Sequence, residues 1–422
     1  MPDFPVETGG PLSEVCALVA AAEAVVVGEG IIQRRDRPVP STMMGSGKVI
    51  EVSEEIARVH PSAVVVDNDL SPAQVRNLEK AWGLRVIDRS ELILDIFARR
   101  AQTRQARLQV ELAQNEYLVP RLRRMWTHLE RTEGAIGTRG PGETQLETDK
   151  RLLSKRISDL KRELEGIEQR KQRQVRTRDA EFTIGLVGYT NAGKSTLLNR
   201  LTGSSEFVAD MPFATLDTRT RRWVLPDRRT VLLSDTVGFL QRLPHHLVAS
   251  FHATLEETIN ADLLLHVVDA SHPDAAQQMK AVDLVLSELS PHLEVSAVVL
   301  NKADKVRDPL ELHLLVEGRR EEILLVSART GDGLDRLTAY VTSALDARSS
   351  RVTVHIAPGD GRSIAAVRGA GAIEEETVDE DGTMHIRLRM SEGALGVLRR
   401  NLGHGAQVEL EGGAPTLHAP SG

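Results

Sequence analysis

The chain has 422 residues, too many for one hydrophobic core, so several folded units are expected. Hydrophobic residues make up 41% and charged residues 27%, the balance of a soluble globular protein with no apolar run long enough to span a bilayer. Its single cysteine, Cys16, excludes an intrachain disulfide or cysteine-cluster metal site, and the net charge of −7 argues against indiscriminate nucleic-acid binding.

That charge is unevenly spread: Arg99 to Arg178 holds 20 Lys and Arg against 11 Asp and Glu, a local +9 that leaves −16 elsewhere. Met1 to Leu12 is acidic and proline-bearing, without the basic and apolar regions of a secretory signal, so a cytoplasmic protein is expected. Cys16 reads as a small buried apolar residue.

Residues 1–97 read as a small α/β domain: an apolar strand at Ala24 to Gly28, a helical stretch at Val52 to Val59, a buried strand at Ala63 to Asp67, a helix, and a strand at Leu84 to Asp88. Ser71 and Pro72 open that helix as N-cap and first-turn residue, with Leu78 and Trp82 on one face.

Residues 98–180 read as a long helical hairpin. Leu153, Ile157, Leu160, Leu164 and Ile167 recur at heptad spacing, and Leu118, Leu122, Met125 and Leu129 give a matching seam. The loop between them, 131–145, carries Gly134, Gly137, Gly140, Pro141 and Gly142, a shaped excursion rather than a short turn. Loops of that kind carry function, although the arginines around it also fit a merely solvated surface. The same seam could instead pair two chains, but a monomer is the expectation.

In residues 181–348, apolar runs alternate with helical segments as in a doubly wound parallel sheet: Phe182 to Val187, Thr230 to Ser234, Leu263 to Asp269, Ser296 to Asn301 and Ile323 to Ser327. Residues 351–422 read as a small α+β domain with strands at Val352 to Ile356 and Met384 to Leu388, a helix around Gly393 to Arg400 and a Gly/Pro/Ser-rich tail. The acidic runs Glu374 to Glu376 and Asp379 to Asp381 read as solvated surface around a turn.

Gly188-Tyr189-Thr190-Asn191-Ala192-Gly193-Lys194-Ser195 follows an apolar strand and opens a helix through Thr196, Leu197 and Leu198, the context a phosphate loop requires. Its glycines let backbone N–H groups face phosphates, Lys194 reaches the outer phosphates, and the Ser195 hydroxyl ligates Mg²⁺. Asp235-Thr236-Val237-Gly238 ends the next apolar strand, where a carboxylate holds the metal's water shell and the Gly238 N–H meets the γ-phosphate. Asn301-Lys302-Ala303-Asp304 ends a later strand; a carboxylate at Asp304 accepts the N1 and N2 protons that guanine offers, and adenine does not offer them in that arrangement. Ser327-Ala328-Arg329 stands where the backbone meets the guanine O6. Four such motifs in the order the fold demands point to GTP hydrolysis, with Lys194, Thr215 and Gly238 at the reacting phosphate.

Thr215, between the phosphate loop and Asp235, is the threonine a switch loop offers to Mg²⁺, a helix-cap threonine being the alternative. Phe239 follows Gly238, where many GTPases place a glutamine to orient water, so slow intrinsic hydrolysis is expected. Asn191 is a candidate ligand for K⁺ or else a polar loop residue; His245 and His246 have no supporting metal constellation and read as surface or switch residues.

At Gly45-Ser-Gly-Lys-Val49, Leu70-Ser-Pro-Ala-Gln-Val-Arg-Asn-Leu-Glu79, Leu92-Ile-Leu-Asp-Ile-Phe97, Gly137-Thr-Arg-Gly-Pro-Gly-Glu-Thr-Gln-Leu-Glu147, Phe213-Ala-Thr-Leu-Asp-Thr218, Asp235-Thr-Val-Gly-Phe239 and Ala253-Thr-Leu-Glu-Glu-Thr258 the chain resembles an HflX-type GTPase of the Obg-HflX branch. The resemblance covers roughly residues 25 to 345 and implies a GTPase that binds the large ribosomal subunit and its RNA in the GTP state. It further implies a hairpin loop reaching towards the peptidyl transferase centre and the splitting or rescue of stalled ribosomes under stress. Arg131, Arg139 and Gly140 are the residues expected to touch RNA, which a basic hairpin on an acidic protein also favours. Other readings are a GTPase of ribosome assembly or tRNA modification, or an RNA-binding module stabilised by nucleotide; some ATP use is left open.

Overall fold

The computed structural model describes residues 10–122, 141–176, 181–204, 212–213, 219–240, 261–290, 295–306, 308–403 and 405–410. The hairpin-loop residues Arg131, Arg139 and Gly140, the switch threonine Thr215, and His245 and His246 lie outside them. It is a mixed α/β multidomain architecture.

The N-terminal unit comprises α1 (Ser13–Ala21), α2 (Ser46–Val59), β1 (Ala63–Val66), α3 (Pro72–Trp82), β2 (Arg85–Asp88) and α4 (Arg89–Arg100). β1 and β2 pair in parallel. α3 starts where its cap chemistry dictates: the Ser71 hydroxyl accepts from the Gln74 N–H at 3.3 Å and the Gln74 side chain accepts from the Ser71 N–H at 2.8 Å, a reciprocal capping box. The strand expected at Ala24 to Gly28 is not formed. The chain there is turned out by positive φ at Glu23 (61°) and Gly28 (78°), pairs with neither strand, and leaves Val25 80% exposed; an apolar run becomes a strand only where a partner edge is within reach. Cys16 is half-buried rather than fully buried.

α5 (Arg104–Leu118) and α6 (Pro141–Arg176) are the arms of the hairpin. Leu160 is fully buried against Leu108 and Leu112, with Ile157, Leu164 and Ile167 packed around them. Ile157, Leu160, Leu164 and Ile167 of the predicted seam pack here while Leu153 stands outside the cluster, and their partners on α5 are Leu108 and Leu112. Leu118, the last residue of α5, is 41% exposed, whereas Leu122, beyond the 3₁₀ turn at Val119–Arg121, is buried. Met125 and Leu129 lie outside the described residues. Arg156 clamps Glu111 with two hydrogen bonds of 2.6 and 2.8 Å, fixing the register of the arms.

The central unit is a six-stranded sheet made of β3 (Phe182–Val187), β4 (Arg219–Val224), β5 (Thr230–Asp235), β6 (Leu263–Asp269), β7 (Ala297–Asn301) and β8 (Glu322–Leu325), in the order β4-β5-β3-β6-β7-β8. Helices α7 (Lys194–Thr202), α8 (Ala275–Leu289), α9 (Pro309–Val316) and α10 (Leu334–Ala347) connect or flank them. Every residue of β6 and β7 is buried, which is why they read as continuous apolar runs. β4 was not expected: it is an antiparallel edge strand whose Arg-Thr-Arg-Arg-Trp-Val sequence buries only Trp223.

The C-terminal unit runs β9 (Ser349–Ile356), α11 (Gly361–Arg368), β10 (Ala372–Val378), β11 (Met384–Ser391), α12 (Glu392–Asn401) and β12 (Ala406–Leu410), with sheet order β10-β11-β9-β12, the split βαβ arrangement. Glu374 to Glu376 lie exposed on β10, ahead of the turn that leads to β11, as the reading of solvated surface around a turn expects. Glu375 pairs with Arg387 at 2.7 Å and Glu374 with Arg389 at 3.0 Å across to β11, pairs that favour this strand register more than they add stability, and Glu376 pairs with Arg368 of α11 at 2.8 Å.

His266 stands inside β6 with Nδ1 3.8 Å from an Asp283 carboxylate oxygen. Burial, reinforced by Arg319 and Lys194, pulls its pKa down from 6.5 to about 3. The unfolded chain therefore takes up a proton below pH 6.5 that the folded chain refuses, so stability present above that pH is lost as pH falls towards 3. Replacing His266 with Leu should reduce the pH slope of the unfolding free energy by up to about 1.4 kcal/mol per unit across this window. Urea titrations at a series of pH values measure it; an unaltered slope contradicts a buried neutral imidazole.

Candidate functional site

The residues singled out in the sequence converge at the C-terminal ends of β3, β5, β6, β7 and β8, where a doubly wound sheet places its ligand crevice. β3 delivers the chain into Gly188 to Gly193, and α7 begins at Lys194. Gly193 takes φ 91° as the N-cap of α7, and a Cβ there would stand 2.3 Å from the Asn301 side-chain nitrogen. Asn191 also takes a left-handed φ of 62°, a conformation asparagine tolerates better than most residues. Thr196 lies in the first turn of α7.

Lys194 is buried, and its ammonium donates to the carbonyls of Gly188 at 3.1 Å and Tyr189 at 2.9 Å. Burial lowers its pKa from 10.5 to about 8, the Asp235 charge opposing the shift. The Ser195 hydroxyl donates to the Asp235 carboxylate at 2.5 Å, so the two oxygens proposed around a metal do lie side by side.

The Asp235 to Gly238 segment is tied to the phosphate loop along its backbone. Thr190 N–H donates to the Phe239 carbonyl at 2.8 Å, and Phe239 N–H donates to the Gly188 carbonyl at 3.1 Å. Thr236 and Val237 are buried, and the Thr236 hydroxyl donates to the Leu186 carbonyl at 2.7 Å. Gly238 passes so close to the loop that a Cβ would stand 2.8 Å from the Thr190 Cα. Phe239 is 2% exposed and packs in one core with Tyr189, Phe97 and Phe213. It is a packing anchor.

On the other side of the crevice, the Asn301 amide donates to the Ala192 carbonyl at 2.9 Å and its oxygen accepts from the Ala328 N–H at 3.0 Å. Asp304 accepts from the Ser327 hydroxyl at 2.6 Å and from Arg329; these contacts, the Ser327 hydrogen bond first, hold its carboxyl below the usual carboxylate range. Lys302 takes a left-handed φ of 60°, and its ammonium pairs with Asp269 at 2.7 Å. Sequence reading missed Asp269; its only signal is a carboxylate at the end of a buried strand.

Four family profiles match the chain in order: "GTP-binding GTPase N-terminal" over residues 10–98, "GTP-binding GTPase Middle Region" over 100–178, "50S ribosome-binding GTPase" over 183–302, and "HflX C-terminal domain" over 314–412. GTPase HflX of Escherichia coli strain K12 is 45% identical over 383 residues, which is 90% of this chain and 89% of that protein. GTPase HflX of Alkalihalophilus pseudofirmus is 42% identical over 377 residues, 89% of this chain and 88% of that one. Among solved structures, a GTP-binding protein of Sulfolobus solfataricus in complex with GDP is 25% identical, with a TM-score of 0.42, covering 78% of this chain and 94% of that one.

The expected contact of Lys194 with phosphate predicts a pH dependence of nucleotide binding. Phosphate oxygens would raise its pKa in the complex, so affinity should be full below the free-protein value of about 8 and weaken above it, by up to about tenfold per pH unit. Titrating a fluorescent GDP analogue between neutral and alkaline pH tests this. Lys194→Arg, whose guanidinium stays charged, separates the effect from ionisation of the base; equal profiles for the two proteins contradict it.

Proposed function

Because the chain belongs to the HflX family of GTPases, we propose that it hydrolyses GTP in this crevice, binds the large ribosomal subunit in its GTP state, and splits or rescues stalled ribosomes, hydrolysis releasing it. The observation that carries the nucleotide part is the Asn301 amide joining the phosphate loop to the Ser327-Ala328 turn, because it brings the phosphate-facing and base-facing residues into one site. No helix among the described residues is long and apolar enough to cross a membrane, and the proposed setting is the cytoplasm.

In this reading Gly188 to Thr196 receive the phosphates, Asp235 to Gly238 meet the γ-phosphate, and Asn301, Lys302, Asp304, Ser327, Ala328 and Arg329 receive the guanine. Asp304, kept ionised by Ser327 and Arg329, is the acceptor that selects guanine. Ser195 directly, Asp235 through water, and Thr215 would hold Mg²⁺; the adjacent oxygens of Ser195 and Asp235 fit a hard cation that takes oxygen ligands. Bound there, Mg²⁺ supplies charge neutralisation for the separating phosphates. Lys194 adds a second positive charge, preorganised by the Gly188 and Tyr189 carbonyls and released to the phosphate when nucleotide enters. Asn191 is proposed to help hold K⁺. With Phe239 committed to the core, the group that orients the attacking water comes from elsewhere in the chain or from the partner, and unstimulated turnover is slow.

The ribosomal part is supported by the family and by the charge distribution: the local +9 of Arg99 to Arg178 stands on a chain of net charge −7. Arg131, Arg139 and Gly140 are proposed to contact RNA. GTP turnover of the purified chain should be slow alone and rise at least about tenfold with large ribosomal subunits, and Arg139→Ala with Gly140→Ala should abolish the rise but not the basal rate. Unchanged turnover with subunits removes the ribosomal reading. Crosslinking to tRNA or precursor particles would move the target to modification or assembly. Replacing K⁺ by Na⁺ should slow hydrolysis; equal rates remove the role given to Asn191.

A further inference from the structure

The phosphate loop is braced from outside its own domain. Tyr189, its second residue, buries its ring in a core shared with Val15 and Leu18 of α1 and Phe97 of α4, and its hydroxyl donates to Glu14 on α1, 175 residues away in the chain. That carboxylate is itself held: it accepts at 2.5 Å from the guanidinium of Arg89, a side chain only 2% exposed that also pairs with Asp67. At its other end Tyr189 presents its carbonyl to the Lys194 ammonium at 2.9 Å and bridges to Phe239. Asp67, Arg89, Glu14, Tyr189 and Lys194 thus form one continuous run of contacts, from the core of the N-terminal unit to the cation that meets the phosphates.

A hydrogen bond to a charged acceptor is stronger than one between neutral groups, and a buried aromatic ring converts that bond into a fixed backbone position. We propose that Glu14 is a positioning residue for the nucleotide: by holding the Tyr189 hydroxyl it sets the phosphate loop in its receptive shape before nucleotide arrives. The proposal rests on the nucleotide reading above and adds to it a determinant of affinity outside the central unit. Preorganisation of this kind lowers the cost of binding without entering the chemical step, so its loss appears in affinity and KM and spares the saturated rate.

The test is a double-mutant cycle on the full chain, read as Kd for a fluorescent GDP analogue. Glu14→Ala should raise Kd roughly three- to tenfold and leave kcat at saturating GTP within about twofold. Glu14→Gln, which keeps an acceptor for the hydroxyl, should restore most of the affinity. Tyr189→Phe, lacking only the hydroxyl, should lose as much as Glu14→Ala, and the double variant should be no worse than either. Thermal melts set a temperature at which every variant is folded. Additive losses in the cycle, or a Glu14→Ala Kd equal to that of the unaltered chain, overturn the brace while leaving the nucleotide site standing. Failure of the unaltered chain to bind GDP overturns both.

Discussion

The nucleotide crevice depends on one buried side chain. Asn301, 2% exposed, donates to the Ala192 carbonyl and accepts from the Ala328 N–H, so it joins two loops that leave different strands. Only a group with a donor and an acceptor on one short stem can do this; ionised aspartate has no donor, and leucine of similar size would strand two buried backbone groups at about 1–3 kcal/mol each. The same amide explains Gly193, because any side chain there would occupy its position. The loop proposed for the phosphates and the turn proposed for the base are thus held by the same residue.

Around that joint the molecule shares its cores rather than closing each unit separately. Val15, Leu18, Ile93, Ile96 and Phe97 of the N-terminal unit lie in one cluster with Tyr189, Phe213, Phe239 and Val285 of the central unit. Phe97 and Phe213 meet edge to face with centroids 4.5 Å apart, a favoured aromatic geometry. Packed interiors transmit displacement because they have no voids to absorb it. A movement of the Asp235 to Phe239 segment must therefore be answered in α1 and α4. α5 extends the same core through Ala106, Val110, Ala113 and Tyr117, while its opposite face, Leu108 and Leu112, holds the hairpin.

How much of this was legible in the sequence follows from what each residue responds to. The strands of the central sheet and the capped helix α3 could be read because burial on both faces and cap chemistry leave local marks. The motif residues at the strand ends could be read for the same reason: a phosphate loop constrains residue types at fixed spacing. β4 could not, since five of its six residues are not buried and its strand state comes from pairing with β5. The false strand at Ala24 to Gly28 is the converse, local character without a partner edge. The face of α5 that meets α6 was misplaced because it is marked only by Leu108 and Leu112, a single i, i+4 pair too short to stand out as a seam. Glu14 carried no signal at all; its importance comes from Tyr189 and Arg89, each far away in sequence, and only folding brings them together.

The two appended units act from opposite ends of the sheet. The N-terminal unit covers the end where β3 and β5 release the phosphate loop and Asp235. The C-terminal unit is fastened at the other end: Asp346, in the last turn of α10, pairs with Arg229 at 2.7 Å, just before β5, and with Arg389 of β11 at 3.2 Å. Arg348 adds a bond of 2.6 Å to Asp262, which precedes β6 and also accepts from the Thr183 N–H at 2.8 Å. Of these pairs only Asp346–Arg389 crosses to the C-terminal unit, the others tying the end of α10 to the starts of β5 and β6, and all lie away from the crevice. Any influence of the C-terminal unit on the nucleotide must therefore travel the length of a strand or of α10, whereas the N-terminal unit touches the loop itself. Coupling through direct contact needs only one repacked interface; coupling along a rigid sheet needs the whole sheet to shift. The architecture thus puts the N-terminal unit in direct contact with the phosphate loop and the C-terminal unit at the far end of the sheet.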